Sequence, residues 1–362
     1  MNTRIAKLSI AAAALIFTAC SKSADSFSLL ADASSYKQNA IYTPRKVDIL
    51  WVIDNSGSMA TSQTNLANNF PSFINKFIAT GSDFRMAVTT SDAYLAPYHS
   101  SSNAASFPYK DYSLIRDGAG SVHSGVFVIN PATPNIADVF LKNIKQGTGG
   151  SGDERSFSSF QQTLMDSRNS AFRRPDAFLA VIIVSDEDDF SHNDSANGMN
   201  SYMFMENYND PSMYSIQHYV DFLTNFTASA GSGKNFSVNA ISILDSACLA
   251  KLANTSAQKI GQRYMQLATA TGGKATSLCE DFSDSLKLLA DAIVDLSSEF
   301  TLTREPIPET IVVTVNGASI PQDAINGWTY NPTSISISFH GSAVPAAGAD
   351  VRINFDPKGV KN

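Results

Sequence analysis

Val47-Asp48-Ile49-Leu50-Trp51-Val52-Ile53-Asp54-Asn55-Ser56-Gly57-Ser58 is the stretch that decides how this chain is read. Its first seven residues are apolar almost without interruption. A strand apolar on both faces belongs in the middle of a parallel sheet covered by helices. The next five residues turn abruptly polar, and in an open α/β sheet ligands bind just outside the carboxyl ends of the strands. Asp54, Ser56 and Ser58, at alternating positions, can converge three hard oxygens on one point, and Gly57 lets the loop curl around it. Hard oxygens suit Mg²⁺, Ca²⁺ or Mn²⁺ rather than zinc.

A second buried run, Phe178-Leu179-Ala180-Val181-Ile182-Ile183-Val184, ends in Ser185-Asp186-Glu187-Asp188-Asp189. If the two strands lie side by side, Asp186 arrives at the same edge as Asp54. Phe84 to Thr89, Val126 to Ile129 and Phe236 to Leu244 are weaker strand candidates. Helical spacing links Phe70, Phe73, Ile74 and Phe77, where Pro71 implies a kink or a fresh start. It also links Ile260, Tyr264, Leu267 and Ala268, stopped by Gly272-Gly273, and then Leu286, Leu289, Ile293 and Leu296. Alternating strands and helices predict an α/β fold with a doubly wound, mostly parallel central sheet. After Phe300 the texture changes. Ile311 to Val315 runs into an Asn316-Gly317 hairpin turn, and Ile335 to Phe339 and Val351 to Phe355 alternate with period two. Residues 300–362 therefore read as a small C-terminal antiparallel β module, near the lower size limit for independent stability and so expected to dock on the main domain.

Asp54-x-Ser56-x-Ser58, after a buried strand and opposite Asp186, resembles the metal-ion-dependent adhesion site of von Willebrand factor type A domains. The resemblance covers about 46–299 and implies a Rossmann-like sheet whose two Ser hydroxyls touch a divalent ion, with the Asp groups acting directly or through water. The family adds a ligand, usually Thr, from a loop before a helix. Here that loop is Gly147-Thr148-Gly149-Gly150-Ser151-Gly152-Asp153-Glu154-Arg155, and register with the helix places the ligand at Glu154, with Asp153 as the alternative. The expected metal ligands are thus Asp54, Ser56, Ser58, Glu154 and Asp186. A third carboxylate makes the loaded cluster negative, which favours Ca²⁺ and weakens the pull on an acidic partner group.

The N-terminus reads as an export signal. Arg4 and Lys7 precede an apolar stretch from Leu8 to Ala19, too short to span a bilayer comfortably. Phe17-Thr18-Ala19-Cys20 resembles a bacterial lipobox, which makes 1–19 a signal peptide and Cys20 the lipid-modified first residue. The alternative is an ordinary cleaved signal with an incidental Cys. Ser21 after the Cys resembles the pattern of outer-membrane lipoproteins, facing the periplasm or the surface. Residues 20–45, Ser-rich from Ser21 to Ser35, read as a tether. In an oxidising compartment Cys248 and Cys279 can pair; two separate buried thiols are the alternative. Lipobox, acidic loop, cysteine pair and β tail together resemble bacterial surface lipoproteins that carry this domain.

The chain has 362 residues, 43% of them hydrophobic, and a formal net charge of −7, a globular composition with no Lys/Arg run. Nucleic acid is excluded as a partner on that ground. No His-Glu-x-x-His helix, phosphate loop or Gly-x-Ser-x-Gly elbow occurs, so the chain does not read as an enzyme. His192, beside the acidic loop, is the one candidate base or extra ligand. Two Tyr-rich insertions, near 91–124 and 192–215, leave or lie near the metal-bearing edge and are expected to frame a partner surface. The expected function is metal-dependent adhesion to a protein or glycan partner. The alternatives are a metal-dependent hydrolase, or a structural envelope subunit whose metal only stabilises loops.

Overall fold

A computed structural model describes residues 36–41, 45–100, 109–194, 206–229, 234–252 and 258–359. The signal segment, Cys20 and the tether up to residue 35 lie outside these residues, as does 195–205 of the second insertion.

The chain is a mixed α/β structure built on one five-stranded sheet of order β3-β2-β6-β7-β8. Its strands are β2 (Val47–Ile53), β3 (Phe84–Thr90), β6 (Phe178–Val184), β7 (Phe236–Ser242) and β8 (Ala275–Ser277). All four neighbouring pairs are parallel. Successive side chains of a strand point to opposite faces, and both faces are covered. Ile49, Trp51 and Ile53 pack with α1 (Ala60–Ala79), α2 (Ile136–Ile144) and α7 (Phe282–Ser297). Leu50 and Val52 pack with α3 (Ser156–Met165), α4 (Ile216–Phe226) and α6 (Gln262–Thr271). This is why β6, and β2 apart from Asp48, are apolar along their length. On the first face the Trp51 ring meets Phe73 and Phe140 edge-on, with centroids 5.1 and 5.3 Å away.

The register that matters joins β2 to β6, from Val47↔Phe178 to Ile53↔Val184. Asp54 and Ser185 therefore leave the sheet as neighbours. Helix α1 runs unbroken through Pro71 rather than restarting there. Val126–Ile129, expected as a strand, does not join the parallel sheet. Its Ile129 makes a single antiparallel bridge to Met86 on the open edge of β3. Nearby, β4 (Gly118–Ala119) and β5 (Val122–His123) form a two-residue hairpin within the first insertion.

The C-terminal module has its own core, including Val313, Trp328, Ile337, Phe339, Val351 and Phe355. Four strands pair in the order β1 (Tyr36–Ile41), β14 (Asp350–Phe355), β10 (Val312–Val315) and β11 (Ala318–Ile320). Three more pair as β12 (Trp328–Asn331), β13 (Ser336–Phe339) and β9 (Glu299–Thr301). Asn316 and Gly317 take φ of 51° and 81° between β10 and β11, the left-handed pair that a tight hairpin turn requires. Strand β1 corrects the sequence reading. The stretch taken as tether to residue 45 contributes an edge strand to this module, antiparallel to β14. The module docks through α7, where the Ser298 hydroxyl donates to Phe339 O (3.1 Å) and His340 Nδ1 lies 3.2 Å from Asp295. A disulfide joins Cys248, at the start of α5 (Ser246–Leu252), to Cys279 just after β8.

Candidate metal centre

In the order β3-β2-β6-β7-β8 the chain direction of succession reverses between β2 and β6, and such a switch point opens a crevice at the strand ends. Asp54 sits in it fully buried, its amide bonded to Val184 O at 3.0 Å. Its Oδ1 accepts the Ser56 amide (2.7 Å) and its Oδ2 the Ser185 hydroxyl (2.7 Å). Ser56 and Ser58 Oγ are 3.4 Å apart, and Ser58 Oγ donates to Asp186 Oδ1 at 3.0 Å. Asp54, Ser56, Ser58 and Asp186 are thus brought together in one hydrogen-bonded group, reached from solvent through the exposed Gly57-Ser58 tip. Burial, and then the charge of Asp186, push the Asp54 carboxyl up to about 6.

Glu154 stands apart from that chain of hydrogen bonds. It is 1% exposed, and neither carboxylate oxygen meets a hydrogen-bond donor. Burial, and then the charges of Asp54 and Glu187, hold its carboxyl well above the usual range. Ser91, which opposes this rise, directs its hydroxyl to Asn55 Oδ1 at 3.3 Å. Asp153, the alternative ligand, faces elsewhere: its Oδ2 is 2.7 Å from Arg155 Nη2. Among the described residues no three His, Cys, Asp or Glu side chains converge as a ready coordination group. Two of the expected donors are hydroxyls. A buried carboxylate with no donor is costly unless a proton or a cation meets it. The donor set, carboxylates and hydroxyls only, fits a hard divalent cation.

The acidic run after β6 is not uniform. Asp189 is a staple, accepting the Phe157 amide (2.9 Å), the Ser191 hydroxyl (2.8 Å) and Arg263 Nε (3.3 Å). Asp188 accepts the Arg263 amide at 3.0 Å and the Tyr208 hydroxyl at 2.9 Å. Only Asp186 and Glu187 are left toward Asp54. Glu187 is 2% exposed, with Oε2 unpartnered, and burial followed by Asp54 and Asp186 lifts it to about 8. His192 is neither a ligand nor a free base here. Its ring sits between Phe190 O (2.8 Å) and Asp194 Oδ1 (3.0 Å), away from the group at Asp54.

Sequence reading missed the residues that hold these loops in place. Gln63 of α1 donates to both Asp54 O (3.0 Å) and Gly147 O (2.8 Å). Asn55 donates to Asp92 Oδ2 (3.1 Å), and Asp92 Oδ1 accepts the Ser151 amide (3.0 Å). Gln258 Nε2 donates to Asp186 Oδ2 (2.8 Å). Ser185 was visible as the first polar residue after a buried strand; the amides carried no signal.

No family model matches the chain, and no curated protein matches it. Among solved structures it resembles the pilus adhesin SpaC from Lactobacillus rhamnosus GG, at 13% identity and a TM-score of 0.40. That match covers 89% of this chain and 41% of the adhesin. It also resembles proximal thread matrix protein 1 from the mussel byssus, at 14% identity and a TM-score of 0.35, over 74% of this chain and 52% of that one. The mussel protein is also known with a zinc-occupied MIDAS motif. The chain thus spans about two fifths to one half of the length of these proteins.

The two insertions meet beneath the loops. Tyr98 of the first donates its hydroxyl to Asp194 of the second. Arg155, 1% exposed, is held between Asp153 and Asp194, with its guanidinium 4.6 Å from the centre of the Tyr94 ring. Tyr94 is therefore core, not rim. One open depression among the described residues, of about 340 Å³, lies beside Asn55, where Tyr112, Arg116 and His123 stand.

Proposed function

We propose that this chain is an extracytoplasmic binding protein of the von Willebrand factor type A kind, which engages a protein or glycan partner through a divalent ion. One observation carries the reading: Asp54, Ser56, Ser58 and Asp186 gather at the switch point of the sheet while the buried carboxylate of Glu154 has no partner. Ser56, Ser58, Asp186 and Glu154 would hold the ion, with Asp54 acting directly or through water. Bound there, the ion supplies a Lewis-acidic point at a rigid sheet edge. The protein supplies the loops that fix it and, beside it, the depression at Asn55 as the partner surface.

The export signal and Cys20 add a lipid anchor in the outer membrane to this proposal. No helix among the described residues is long and apolar enough to cross a membrane. A specific observation favours the reading in which the ion mainly shapes the loops. Glu154 is buried, so a shell that included it would close with the protein's own carboxylate. Capture of envelope components by the full chain, with and without EDTA, tests the function. Capture that needs the ion supports it, and capture unchanged by EDTA and by Asp186→Ala contradicts it.

A further inference from the structure

Among the described residues Arg116 forms no ion pair. Its Nη2 makes one long hydrogen bond, to Tyr112 O at 3.4 Å, and the guanidinium lies 5.4 Å from the centre of the Tyr112 ring. Nε is buried and meets no acceptor. Asp92 attracts the charge through space, but its oxygens are taken by the Ser151 and Asn55 amides at 3.0 and 3.1 Å. Burial is the larger effect, and it works against the charge. A half-buried guanidinium with so few of its five donors used is costly unless an acceptor arrives.

The position of Arg116 is fixed by its backbone. Its amide donates to Val88 O at 2.7 Å, a bridge to the open edge of β3. The side chain lines the depression of about 340 Å³ beside Asn55, where Ala119 is the one aliphatic residue among those described. The hairpin β4–β5 forms part of the same wall. Gly118 has φ 134°, and a Cβ there would collide with Val122 O, so only glycine fits. His123 closes the hairpin, with Nδ1 2.8 Å from Asp117 Oδ1 and Nε2 3.1 Å from Gly120 O. Both partners only accept, so both nitrogens donate and the ring is an imidazolium matched by Asp117. Arg116 is then the cation of this depression whose donors stay open.

We propose that Arg116 binds the carboxylate of an acidic sugar, a uronic acid residue of a glycan seated in this depression. The fork of a guanidinium matches a carboxylate with two parallel hydrogen bonds. A polar depression with almost no aliphatic wall lacks the apolar anchors of a protein hot spot, and its size is that of a small-molecule site. The inference rests on the partner-surface reading above and names the class of partner. It also separates two roles. The ion fixes the loop that carries Asn55, a wall of the depression, while Arg116 supplies the attraction for an anion that a centre of three carboxylates lacks.

Calorimetric titration of the full chain in Ca²⁺ tests it, with oligosaccharides of galacturonate and of glucuronate, their neutral counterparts, and oligoglutamate. The expected result is binding of an acidic oligosaccharide and not of its neutral counterpart. Arg116→Gln should lose roughly ten- to a hundredfold in that affinity while still binding Ca²⁺. Arg116→Lys, which keeps the charge but not the fork, should retain part of it. The inference is overturned if neutral and acidic sugars bind alike, if oligoglutamate binds in preference, or if Arg116→Gln binds the sugar as wild type does. A chain that binds Ca²⁺ but neither acidic sugar also overturns it and leaves the metal-dependent reading standing. Sugar binding that needs Arg116 but not Ca²⁺ supports it and counts against the metal-dependent reading.

Discussion

Gly150 presses on Asn55 so closely that a Cβ built at position 150 would lie 2.5 Å from Asn55 Nδ2. Its amide donates to Asn55 O at 2.8 Å, which locks the loop carrying Glu154 onto the loop carrying Ser56 and Ser58. Asn55 in turn reaches Asp92, so three loops share one clamp.

Gly150→Ala should therefore force the two ligand loops apart without touching a ligand. Overpacking of this kind costs about 1–3 kcal/mol. The expected outcome is a lower melting temperature and an ion affinity reduced at least tenfold. Unchanged calorimetric titration with Ca²⁺ would show that the loops are not coupled through this contact.

Stability of the metal-free protein should fall as pH rises. Asp54 and Glu187 titrate near 6 and 8 when folded, against ordinary values near 4 when unfolded. Between those values the folded state holds more protons than the unfolded one, so the stabilisation is complete below pH 4 and is lost through pH 6 and then 8. The slope is about 1.4 kcal/mol per pH unit for each proton that differs. Cations compete for the same carboxylates, so the increment from Ca²⁺ should grow over that range. Melting at pH 5 and pH 8, with EDTA and with Ca²⁺, reads both effects. A metal-free melting temperature that stays flat or rises from pH 5 to 8 contradicts the account.

The Cys248–Cys279 bond closes a separation of 31 residues, and such a loop contributes about 2–4 kcal/mol. It anchors α5, and from the chain between α5 and α6 the Gln258 amide reaches Asp186. Peptide mapping without reductant should recover the linked pair, and reduction should lower stability by that amount. Two freely alkylated thiols in protein from its native compartment would contradict it.

What the sequence discloses follows from how local the signal is. β2 and β6 are legible because burial on both faces writes a nearly unbroken apolar run, and the Asn316-Gly317 turn is legible because its backbone needs those residues. β1 is not, since Tyr36–Ile41 has a mixed pattern and its partner β14 lies at the other end of the chain. Val126–Ile129 has strand composition but only one bridge partner, at an edge that composition cannot reveal. At the site, Asp54, Ser56, Ser58 and Asp186 announce themselves by position after buried strands. Asp186 to Asp189 read alike as letters. Only the path of the loop turns Asp188 and Asp189 into staples and leaves Glu187 Oε2 without a hydrogen-bond donor.

The central claim, a divalent ion at the switch point of the sheet, is tested most directly by anomalous diffraction from crystals of the protein grown with Mn²⁺. The account predicts an anomalous peak within coordinating distance of Ser56 Oγ, Ser58 Oγ and an oxygen of Asp186. A saturating Mn²⁺ concentration that leaves this position without a peak, or places the metal only at surface carboxylates, would contradict it.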